Sequence, residues 1–191
     1  MQKWIGSVLL LLIAALPAAG QVPAGHSPTE FDLSAGYTFV RSNALAGGCG
    51  CFLMNGGTGE AALNFKKGIG AVADFSAIYN GNVVSSGQKL LLVSYLFGPR
   101  YSFHSGSRFT PFAQALIGGA HASGLGYSGA TGPGSAIAAA AGGGLDLGVN
   151  RRLAVRLFEV DYNFMHFQNA VNSRESLLRI TFGVVLRFGK N

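Results

Sequence analysis

Period-two alternation at both ends of the chain constrains its fold more than any other feature. Phe31, Leu33, Ala35, Tyr37 and Phe39 alternate with Asp32, Ser34, Gly36 and Thr38. Near the other end, Leu178, Ile180, Phe182, Val184, Leu186 and Phe188 alternate with Arg179, Thr181, Gly183, Val185 and Arg187. Successive side chains of a strand point to opposite faces, so each stretch reads as a strand with one apolar and one small or polar face. Six more strands are predicted between them, near 58–66 (Ala61, Leu63 and Phe65 outward), 69–78, 89–102, 109–121, 136–148 and 153–165. The connections alternate in length. Short turns at Lys66–Gly68, His104–Arg108 and Val149–Arg152 are interleaved with longer Gly, Ser and Asn-rich loops near 42–57, 79–88, 121–135 and 166–175. Short turns at one end and long loops at the other are the pattern of a meandering transmembrane barrel.

Composition decides between lipid and water outside. Charged residues are 12% of the chain, against about a quarter in an ordinary soluble domain, while Gly is 29 of 191 and mean hydropathy is +0.34. Disorder requires the opposite composition, and no internal stretch is long and apolar enough for a spanning helix. Collagen is excluded because the glycines have no triplet period. A soluble eight-stranded barrel also alternates, but it must coat its exterior with charge, and too few Lys and Glu exist for that. The expected fold is therefore all-β, an eight-stranded antiparallel up-and-down transmembrane β-barrel. Tyr37, Tyr79, Tyr95, Tyr101 and Tyr162 are candidates for its interfacial aromatic belts.

The N-terminus indicates export. Lys3 precedes an apolar run from Val8 to Leu16, then Pro17 and the small residues Ala18, Ala19 and Gly20. This is the layout of a secretory signal peptide, with cleavage expected after Gly20 and Ala24 as second choice. The expected organisation is a signal over 1–20, a short periplasmic segment over 21–30 and the barrel over 31–191. The net charge of +6 is not read as a nucleic-acid footprint, since an exported chain rarely meets nucleic acid.

Three stretches carry a family resemblance: GPRYSF at 98–103, the Gly-rich AAAAGGGLDLGVNRRLAVRL at 138–157 and the terminal TFGVVLRF at 181–188. In these the chain resembles the OmpA-like outer-membrane β-barrel family, over everything from about Phe31. The resemblance implies location in the outer membrane, periplasmic termini and four external loops. It also implies that the terminal stretch, with Thr181, Gly183, Leu186 and Phe188, is the signal read by the barrel assembly machinery. Phe188 is followed by Gly189, Lys190 and Asn191, whereas many members stop at the aromatic. The anchoring role of the larger members is not carried over, because no peptidoglycan-binding domain follows.

Charges placed inward by parity are Asp32, Asp74, Arg100, Asp146, Arg156, Glu159, Asp161, Arg179 and Arg187. Arg156 has opposite parity to Glu159 and Asp161, so a regular strand cannot turn all three inward. A β-bulge near Leu157–Phe158 reconciles them, whereas Arg156 in lipid costs about 2–4 kcal/mol at the midplane. Asp146 with Arg156, and Asp32 with Arg187, are expected to meet on neighbouring strands. An eight-stranded barrel has room only for its own side chains, so the lumen reads as a salt-bridged plug, with a small porin-like channel as the alternative. The expected role is structural or interfacial: contact with outer-membrane lipid, lipopolysaccharide or an external partner through the loops, as a monomer without cofactor or metal. The loop sequences name no ligand.

Two further features bear on chemistry. Cys49 and Cys51 in the first loop favour a disulfide in an oxidising compartment, although a bridge across one residue is strained. His121-Ala122-Ser123 has the His-x-Ser spacing of barrel lipid A deacylases, with Asp146, Glu159 and Asp161 as later acids. The Asn that follows the Ser in those enzymes is Gly124 here, and no catalytic residue is assigned.

Overall fold

The computed structural model describes residues 30–42, 52–83, 88–103, 108–123, 134–167 and 175–189. The expected signal over 1–20, residues 21–29 and the Cys49–Cys51 pair lie outside them. Eight strands pair antiparallel in sequence order: β1 (Glu30–Ser42), β2 (Phe52–Asn64), β3 (Ile69–Val83), β4 (Gln88–Ser102), β5 (Phe109–Ser123), β6 (Gly134–Gly148), β7 (Leu153–Phe167) and β8 (Glu175–Phe188). β1 and β8 close the barrel, with Asp32 opposite Arg187 and Thr38 opposite Thr181. Closure leaves no open sheet edge, the condition for crossing a bilayer with strands.

The strands run 13 to 15 residues, longer than the alternation marked. β2 begins at Phe52 rather than near 58. Gly56, Gly57 and Gly59 have no side chains to alternate, yet they pair in register with Ile78, Ala77 and Phe75 of β3. β3 continues to Val83 and β4 starts at Gln88, so the connection expected over 79–88 shrinks to 84–87. Tyr79 and Asn80 belong to the ladder, opposite Leu91 and Leu90.

Alternation holds around the wall. Phe39, Leu63, Phe75, Phe97, Ile117, Phe164 and Phe182 are 40–64% exposed. Their strand neighbours Thr38, Val40, Asn64, Asp74, Leu96, Leu116, Asn163 and Thr181 are buried in the lumen. An outer face this apolar is stable only against lipid. Tyr37, Tyr79, Tyr95, Tyr101 and Tyr162 all face outward. Tyr79 pairs with Leu91 near the loop end and Tyr101 with Ile69 at the turn end, while Tyr37, Tyr95 and Tyr162 stand nearer the middle of their strands. At the turn end Phe31 packs on Phe188 at 6.0 Å and Tyr101 on Phe103 at 4.5 Å.

Glycine sets the closure. Gly36 and Gly183 face each other across β1 and β8. A Cβ on Gly36 would stand 2.7 Å from Phe182 O, and one on Gly183 would stand 2.8 Å from Gly36 Cα. Neither position admits a side chain without moving backbone.

Candidate functional site: a charged layer across the lumen

The bulge in β7 organises the site. Arg156 pairs with Gly183 and Glu159 with Thr181, so three residues of β7 are spanned by two steps of β8. On the other side Asp146 pairs with Arg156 and Leu145 with Phe158. Leu157 and Phe158 both point outward, while Arg156, Glu159 and Asp161 are all buried inside. The extra residue inverts the faces, as the parity conflict required.

Glu60 of β2 is the centre. Arg100 Nη2 donates to both of its carboxylate oxygens at 2.8 Å, Ser34 Oγ donates at 3.1 Å, and Arg156 Nη1 donates to Oε2. Arg156 also donates through Nε to Asp146 at 2.9 Å and through Nη1 to Glu159. Arg100 Nε donates to Gln114 Oε1 at 3.0 Å, and Gln114 Nε2 donates to Glu159 at 2.9 Å and Asp161 at 3.2 Å. Arg179 grips Asp74 with two bonds of 2.9 Å and reaches Asp161 at 2.8 Å. Side chains from all eight strands are thereby linked. Phe112 fills the space between the guanidiniums, 4.3 Å from Arg100 and 4.6 Å from Arg156. Its ring needs Gly144, where a Cβ would stand 2.8 Å from Phe112 Cζ.

The nine charges placed inward by parity all lie on lumen positions, Asp32 only partly buried at the turn end. Asp146 and Arg156 meet, whereas Asp32 and Arg187 are register partners that form no ion pair. Asp32 instead accepts from Asn64 Nδ2 at 2.8 Å. Sequence reasoning misses Glu60, Gln114 and Phe112. Glu60 is legible, because Ala61 and Leu63 outward put it inward. With Glu60 included, six carboxylates share the lumen with four arginines.

Glu60, Asp74 and Glu159 bring carboxylate oxygens within 4.8 Å of one another, close enough for a cation on distance alone. Arg156 already occupies Glu60 and Glu159, and Arg179 occupies Asp74, so the donor set is that of an ion-pair network.

Toward the loop end the lumen turns apolar. A hydroxyl layer comes first, Thr38 bonding Thr58 at 2.6 Å and Thr181 at 2.9 Å, and Ser76 bonding Ser94 at 2.7 Å. Beyond it Val40, Met54, Ile78, Leu90, Leu92, Met165 and Leu177 pack together at 4% exposure or less. The alternation conceals this cluster because β4 reads Leu90-Leu91-Leu92-Val93, apolar on both faces.

His121 and Ser123 lie on outward positions of β5, either side of the inward Ala122. His121 Nδ1 bonds Ser135 Oγ at 3.0 Å, and Asp146, Glu159 and Asp161 are on the opposite side of the wall. The His-x-Ser spacing therefore assembles no nucleophile–base–acid array with them.

No protein-family model matches the chain, and no curated protein matches it. Solved structures do match its fold. Ail, the attachment invasion locus protein of Yersinia pestis, is 16% identical with a TM-score of 0.59, over 85% of this chain and 100% of that one. Neisserial surface protein A is 15% identical with a TM-score of 0.59, over 83% and 96%. The outer membrane protein OprG of Pseudomonas aeruginosa is 12% identical with a TM-score of 0.50, over 86% and 98%. The chain shares the fold of these small eight-stranded barrels.

Proposed function

We propose that the chain is a non-enzymatic outer-membrane barrel whose lumen is plugged, and that its role is structural or interfacial through the loop end. The observation that carries the reading is the filling of the lumen by two successive barriers. A water path must cross a layer in which three arginines are bonded to five carboxylates, and then the apolar cluster from Val40 to Leu177. Breaking a buried ion pair costs roughly 3–5 kcal/mol, so thermal opening is rare.

On this reading the signal at 1–20 directs export and Thr181, Gly183, Leu186 and Phe188 engage the assembly machinery. Outer-membrane lipid and lipopolysaccharide surround a monomer. The loops meet an external partner, as the name of the Yersinia attachment protein implies for that barrel. A porin-like channel is the second reading, favoured by the surplus of carboxylates over arginines in the lumen. Planar-bilayer recording separates them. Wild-type protein is expected to give no unitary steps; steps abolished by Asp146→Asn or Arg156→Met assign the channel instead.

A further inference from the structure

The β4–β5 ladder is interrupted. Phe97 pairs with Ile117 and Arg100 with Gln114, while Pro99, which has no N–H to donate, falls between them. Beside that gap the outer wall is hollowed into a groove of about 420 Å³. Its floor is Ala115, Ala139 and Ala141, and its sides are Phe97 and Ile117 on one hand and Tyr162 and Phe164 on the other. Across β4 to β7 this opening is about three strand spacings, roughly 14 Å. Most of the wall elsewhere carries Leu, Val, Ile, Phe or Tyr.

Polar groups collect at its loop end. Next along the same faces from Phe97 and Phe164 lie Tyr95 and His166, opposite Gly119 and Ile137. The Tyr95 ring lies over Gly119, where a Cβ would stand 2.5 Å from its hydroxyl. Further toward the loops His121, opposite Val93, bonds Ser135, and Lys89 is exposed beyond Leu91 on the same face of β4. No described carboxylate side chain faces outward on this half of the barrel.

We propose that this groove is a lipid site that seats an acyl chain of lipopolysaccharide, with a lipid A phosphate received by His121, His166 and the Tyr95 hydroxyl, and Lys89 further out toward the polar head. The apolar trough runs toward imidazole and hydroxyl donors, with an ammonium further along the same wall, and no described acidic group shares that part of the wall. That combination matches an anionic head on an alkyl chain. The assignment rests on the outer-membrane reading, with the loop end facing out, and not on the plug.

The test uses the full barrel, delipidated in detergent, with purified lipid A as probe and phosphatidylglycerol and phosphatidylcholine as comparisons, read by native mass spectrometry. Wild type is expected to retain one lipid A in preference to either phospholipid. Ala141→Phe, which fills the groove from an exposed position, is expected to weaken retention about tenfold. His121→Ala with His166→Ala is expected to remove the preference for lipid A over phosphatidylcholine. Equal retention by Ala141→Phe and wild type overturns the site. So does phosphatidylglycerol held as tightly as lipid A, or a dimer that Ala141→Phe abolishes, which gives the groove to a second copy. Conductance by the wild type would remove the plug and leave this result standing.

Discussion

Replacing Arg156 with Met tests whether the charged layer holds the barrel together. Arg156 is 3% exposed and serves Asp146, Glu60 and Glu159 while stacking on Phe112. Met keeps most of the apolar stem, so the change isolates the guanidinium. Glu60 retains Arg100, and Glu159 retains Gln114 and an Arg179 contact at 3.7 Å. Asp146 loses the one ion-pair partner it has among the described residues. Removing one partner of a buried pair costs roughly 3–5 kcal/mol. Arg156→Met is therefore expected to lower the unfolding free energy by about that amount, in urea titrations of the barrel in lipid vesicles. Adding Asp146→Asn removes the stranded charge and is expected to recover about 1–3 kcal/mol of the loss. A single variant within about 1 kcal/mol of wild type would show that the layer does not hold the barrel together and is a by-product of closure.

Other outcomes follow from the same geometry. Gly183→Val is expected to cost about 1–3 kcal/mol by overpacking against β1. The loss should persist when purified protein folds into vesicles without assembly machinery, which separates closure from signalling. Leu92→Ala is expected to cost about 2–5 kcal/mol from the apolar cluster, with planar bilayers still silent because the charged layer remains. Ser123→Ala is expected to leave lipid A acylation unchanged by mass spectrometry of the host membrane. Cys49 and Cys51 are expected to resist alkylation until a reductant is added, as followed by intact mass.

Barrel, strand number and facing were legible because lipid leaves one face of each strand apolar and the narrow lumen leaves the other small or polar. The parity clash between Arg156 and Glu159 was strong enough to locate a bulge. Strand ends were harder to read. Beyond the hydrocarbon core, which about 9–11 residues cross, the outer face is no longer held apolar, and glycines such as Gly56 carry no signal. The apolar lumen cluster was hidden for the converse reason: where Leu90 and Leu92 point inward beside Leu91 and Val93, both faces look alike. Asp32 and Arg187 show the limit of register. Opposite positions bring backbones together without bringing the Arg187 guanidinium into bonding distance, and Asp32 accepts from Asn64 Nδ2 instead.

Lipid against the apolar face and a closed lumen behind it are both read by nitroxide scanning of β8 in bilayers. Single cysteines at 181, 182, 184, 185 and 186 would be introduced with Cys49 and Cys51 changed to Ser. Labels at 182, 184 and 186, where the native side chains are 46–49% exposed, should collide freely with dissolved oxygen. Labels at 181 and 185, where they are 3% and 1% exposed, should be shielded from oxygen and from a water-soluble nickel complex alike. Nickel reaching 182, 184 and 186 in preference to oxygen would put water against that face and overturn the transmembrane barrel.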